Sequence, residues 1–106
     1  MSDFVSNKLK QIDLGNEKWI KIPEEISFGE VQNFSKGETD EVVIITQAML
    51  VFIKEWNLED KNGKAEINKE NINKLKITTI NIITEAITNL ISANSDKKKE
   101  VKEEKN

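Results

Sequence analysis

The apolar positions follow three patterns along the chain, and each predicts a different element. Over residues 12–22 they alternate: Ile12 and Leu14, then Ile20 and Ile22, stand between polar neighbours. Period-two alternation marks half-buried strands. Gly15-Asn16 separates the two runs, so the segment reads as a β-hairpin turning at Leu14 to Glu17. Pro23, the only proline, ends the second strand because it has no N–H to give a ladder. Trp19 falls on the face opposite Ile20 and is expected to be covered by another segment or a partner. Two strands alone are marginal in water, so the hairpin must pack on helices.

The second pattern, from Glu38 to Trp56, is the strongest helix signal and the most apolar run. Thr39 is an expected N-cap, with Asp40 and Glu41 in the first turn, where negative charge suits the helix dipole. Val42, Ile45, Met49, Phe52 and Trp56 recur at helical spacing, and Ala48, Leu50 and Ile53 widen the stripe. Val43, Ile44 and Val51 add apolar residues elsewhere around the helix. A helix apolar nearly all round is either buried or shared with a partner. A chain this short struggles to cover such a helix completely. The run from Val42 to Ile53 is too short to span a membrane, which takes about 20 residues.

The third pattern is amphipathic. Ile80, Ile83, Ile87, Leu90 and Ile91 share a helical stripe within Ile77 to Ser92. Between the two long helices, Asp60-Lys61-Asn62-Gly63 is a turn signature, with Leu58 and Ile67 flanking a small hairpin or loop. Asn68 is placed to cap a short helical turn through Ile72 and Leu75. Upstream, Ser27 and Glu30 have capping-box spacing. They predict a short helix from Phe28 to about Phe34, with Phe28, Val31 and Phe34 on one face. Ser35-Lys36-Gly37 breaks the chain before the central helix. Residues 95–106 are nearly all charged and cannot bury enough surface to offset ordering entropy. The expected fold is therefore α+β, mainly α, with one globular domain over 1–94 and a disordered charged tail over 95–106.

Composition narrows the chemistry. The chain has neither cysteine nor histidine, which excludes thiolate and Ser–His catalysis and the common zinc sites. Asp60, Asn62 and Gly63 resemble the start of a calcium loop, but glycine falls at position four where the motif needs it at six. No glycine-rich phosphate loop or nucleophile elbow occurs. No enzyme activity, cofactor or metal is expected. All 16 basic residues are lysine and the net charge is −3, which argues against nucleic-acid binding. The N-terminal residues lack a charged-then-apolar leader pattern, so a cytoplasmic location without membrane contact is expected.

One further pattern concerns function. The helix ending at Trp56-Asn57-Leu58 is followed by Asp60, Gly63, Glu70-Asn71-Ile72 and Leu75, and then by the last amphipathic helix. This order and spacing, over roughly Trp19 to Ser92, resembles the small tail assembly chaperones of long-tailed bacteriophages and prophages, the lambda gpG-like class. The resemblance implies a non-enzymatic protein of the host cytoplasm. Such a protein coats the long, helical tape measure protein until the tail tube polymerises around it, and it tends to form homo-oligomers. On this reading the partner-binding residues are the spare apolar positions Val43, Ile44, Leu50 and Val51, with Trp56 in support. The alternative is a small structural subunit of a phage tail or head–tail connector.

Overall fold

The computed structural model describes residues 3–35 and 39–104, with side chains described at 3–34 and 39–94. The fold is mixed α+β with helix predominant, as the three patterns predict. Strands β1 (Leu9–Gly15) and β2 (Lys18–Pro23) form the expected hairpin. Asn16 and Glu17 occupy its turn with φ of 53° and 64°, the two positive angles of a type I′ turn. The register slips by one between Asp13 and Gly15, so β1 reaches one residue further than the alternation suggests. Ile20 and Ile22 point into the core and are buried.

Helix α1 (Phe28–Ser35) opens with the predicted capping box. The Ser27 hydroxyl accepts from the Glu30 N–H at 3.1 Å, and the Glu30 carboxylate accepts from the Ser27 N–H at 3.0 Å. Its expected apolar face is not buried as a unit. Phe34 packs on the core, whereas Phe28 is 78% exposed and Val31 is exposed too. The predicted break at Ser35-Lys36-Gly37 lies largely outside the described residues.

The central helix α2 is shorter than its pattern, running over Glu41–Phe52. Asp40 rather than Thr39 is the N-cap; its carboxylate accepts from the N–H groups of Val42 and Val43. Asp caps as well as Thr and adds a full charge at the positive end of the dipole. The larger correction is at the other end. Ile53 turns extended, and Glu55–Trp56 becomes strand β3, which pairs antiparallel with β2. The sheet order is β1-β2-β3. The Lys54 N–H donates to Lys21 O at 2.8 Å, and the Asn57 N–H donates to Trp19 O. Without β3 these carbonyls would line an open sheet edge, and unpaired backbone groups cost more than one extra helical turn returns.

Asn57 fastens the far end of this sheet. Its side-chain oxygen accepts from the Trp19 N–H at 2.8 Å, and its amide donates to Glu17 O at 3.0 Å. Glu17 has no intrinsic liking for positive φ, and this bond helps to hold the turn. Asn57→Ala removes both side-chain bonds and is expected to cost about 1–2 kcal/mol in urea unfolding. A change within about 0.5 kcal/mol would show that the turn holds itself.

The predicted second hairpin forms between β4 (Glu59–Asp60) and β5 (Gly63–Lys64). Gly63 takes φ 109°, which only glycine adopts readily, and Asp60 accepts from the Asn62 N–H across the turn. The hairpin places the Ala65 carbonyl against the indole of Trp56, whose Nε1–H donates to it at 2.7 Å. Asn68 then caps α3 (Lys69–Asn73), accepting from the Asn71 N–H as expected.

Helix α4 (Ile77–Glu104) runs past the Ser92 end that its pattern suggests. The disordered charged tail expected over 95–106 lies outside the described side chains. Ile83, Ile87 and Leu90 are buried from the predicted stripe. The core joins them to Met49 and Phe52 of α2, Ile72 of α3, and Ile20, Ile22 and Trp56 of the sheet.

Candidate functional site

Helix α2 has two different halves. Ala48, Met49 and Phe52 are buried against the sheet and α4. Its first two turns run beyond that cover. Val42 is 71% exposed and Leu50 is 38% exposed, while Val43, Ile44 and Ile45 are half-buried. Glu41 is the one charged residue in the whole helix. The Thr46 hydroxyl donates to Val42 O at 3.0 Å, so its polarity is spent inside the helix. The result is an apolar surface with little of its own polarity on offer.

Neighbouring elements shape this surface into a notch. Val42, Ile45 and Met49 form one wall; Ile72, Leu75 and Ile77 form the other. Its volume is about 280 Å³, and Ile77 at its rim is 72% exposed. A second depression adjoins it, lined by Val43, Gln47 and Leu50 with Lys69 and Asn73 of α3. The Gln47 side-chain oxygen is buried there without a hydrogen-bond partner among the described residues. A covered, unpaired acceptor costs about 1–3 kcal/mol. It is satisfied at no further cost if an arriving group donates to it.

The sequence-predicted residues divide accordingly. Val43 and Leu50 line this surface, whereas Ile44 faces the depression beside Phe34 on the α1 flank. Val51 is half-buried and packs on the core instead. Trp56 is 1% exposed and sits on β3 with its only polar atom satisfied, so it has no surface to give a partner. Spacing alone places Val42 in the core stripe and Ile77 at a helix start, yet both stand open on this surface. Periodicity reports which face a residue shares. It does not report how far along a helix the covering elements reach.

A second feature lies on the other flank of α2. The Phe34 ring of α1 meets Phe52 with centroids 5.5 Å apart at a 58° tilt. Four residues earlier, Glu30 Oε2 pairs with Lys54 Nζ at 2.9 Å. The Glu30 side chain is 20% exposed. Partial burial raises its pKa, but the Ser27 N–H, the bond and charge of Lys54, and the Ser27 hydroxyl together hold it below the usual 4.5. A depressed carboxylate adds stability above its unfolded pKa and loses it as pH falls through the folded value. Glu30→Gln is therefore expected to flatten the stability-versus-pH curve below about pH 4.5, read by thermal melts from pH 3 to 7. An unchanged slope would remove Glu30 from the acid response.

Among the described residues, no group of three or more acidic side chains is placed to hold a metal ion. Nor is any helix there long and apolar enough to cross a membrane. No protein-family model, curated protein or solved structure matches this chain.

Proposed function

We propose that the chain is a tail assembly chaperone that binds the tape measure protein through helix α2, without catalysis. The observation that supports this is the apolar, almost uncharged first half of α2, with Val42 and Ile77 open to solvent beside a formed notch. A helix laid along such a groove inserts side chains at i, i+3, i+4 and i+7. A long helical protein with an exposed apolar stripe offers that spacing repeatedly. Each copy of this chain covers about 12 Å of stripe, the rise from Val42 to Leu50. Many copies side by side keep the stripe out of water. The groove is short and open, so each copy holds weakly enough to be displaced when tube subunits arrive.

The test is co-expression with the longest coiled-coil-rich protein encoded nearby, followed by size-exclusion chromatography with light scattering. A soluble complex with many copies of this chain per partner is expected. A partner that stays insoluble beside a discrete oligomer of this chain would favour a structural subunit of a tail or connector.

A further inference from the structure

The structure already contains a helix docked on the opposite flank of α2, and that helix is α1. It is eight residues long, below the roughly 12–15 that an isolated helix needs. Gly29 sits in its first turn and weakens it relative to alanine. Among residues 28–34, the side chains not exposed are Glu30 and Phe34. They are four apart, so they stack on one stripe of the helix. Phe34 rests on Phe52, and Glu30 rests on Lys54.

The floor of the seat comes from Ala48, Met49 and Phe52 of α2 and Ile87 of α4, all buried in the main core. Lys54 is fixed by its backbone bond to β2. Beside this floor lies a solvent-open depression of about 130 Å³, lined by Phe34, Ile44, Ala48, Thr84, Ile87 and Ile91. A short helix held by two side chains is an element that opens locally before the rest unfolds.

We propose that α1 is a displaceable occupant of the groove between α2 and α4. The same groove docks a partner helix carrying α1's own pair, a carboxylate and, four residues on, an aromatic ring. This rests on the reading of a helical partner given above and states which chemistry it presents. The carboxylate meets Lys54, the ring meets Phe52, and a larger side chain reaches into the open depression beside it.

A fluorescently labelled peptide copying residues 24–35 tests this against the whole chain by anisotropy. In the unaltered chain the internal helix competes at an effective concentration of millimolar order, so the peptide binds poorly. In the full-length Phe34→Ala variant the internal competitor loses its ring, and the peptide is expected to bind at least about tenfold tighter. A peptide with alanine in place of its own phenylalanine is expected to lose that gain. A folded Phe34→Ala chain that binds no better than the unaltered one would overturn the proposal. Should that variant not fold, hydrogen exchange on the unaltered chain decides. The α1 amides are expected to exchange at least about 100-fold faster than those of Met49 to Phe52, and equal protection would make α1 a permanent part of the core. Neither measurement involves the tape measure protein, so failure here leaves the co-expression result to stand on its own.

Discussion

Trp56→Ala is expected to remove about 3–5 kcal/mol of stability, the range for emptying a buried large aromatic site. That is much of what a small domain has. Two losses combine. The ring is 1% exposed and lies opposite Ile20 across the β2–β3 ladder, so its removal opens a cavity where sheet, α3 and the second hairpin meet. The Ala65 carbonyl also loses its indole donor. Urea unfolding followed by far-UV circular dichroism should show a much lower midpoint with a similar slope. Trp56→Phe separates the two terms. It keeps most of the apolar volume and is expected to cost about 1–2 kcal/mol through the unpaired carbonyl. A loss below about 1.5 kcal/mol for the alanine variant would mean that the site collapses and the indole is not the keystone of this junction.

The same residue shows what a sequence does and does not reveal. Trp56 follows Phe52 by four, and Phe52 follows Met49 by three, so it joins the helical stripe on spacing alone. That it is buried was legible. That it is buried from a strand was not, because the reason lies at Lys21 and Trp19, more than 30 residues away, whose backbone groups need a partner. Signals contained within four residues mostly transferred, although the cap expected at Thr39 falls one residue on, at Asp40. The capping box at Ser27, the asparagine cap at Asn68 and the glycine turn at Gly63 all formed where local chemistry placed them. The candidate surface was half legible. Too many apolar residues on α2 for one small core was a correct warning. Which of them stayed uncovered depended on where the sheet, α3 and α4 end, and Val42 and Ile77 stand just past those limits.

If the proposed helical partner docks on this face, Val42→Glu combined with Leu50→Lys should sharply weaken its binding while leaving the fold intact. The two positions bracket the open face of α2, at its first and last turns. Glutamate near the N-terminus and lysine near the C-terminus both suit the helix dipole, and the pair leaves the net charge at −3. Both residues are already exposed, so each change should move stability by no more than about 0.5 kcal/mol. A docked helix, by contrast, would meet two charges where it needs apolar contact. Burying what is still exposed is worth about 1–2 kcal/mol at Val42 and about 0.5–1 kcal/mol at Leu50. Together that is roughly one to two orders of magnitude in affinity per copy. Size-exclusion chromatography with light scattering on the co-expressed pair should then show free chain and no complex, with an unchanged circular dichroism spectrum. A complex of unaltered stoichiometry would move the docking site off this face. If an oligomer of the free chain falls apart instead, and partner binding survives, the face belongs to self-association. The proposed helical partner would then be held elsewhere, with the seat under α1 as the next place to look.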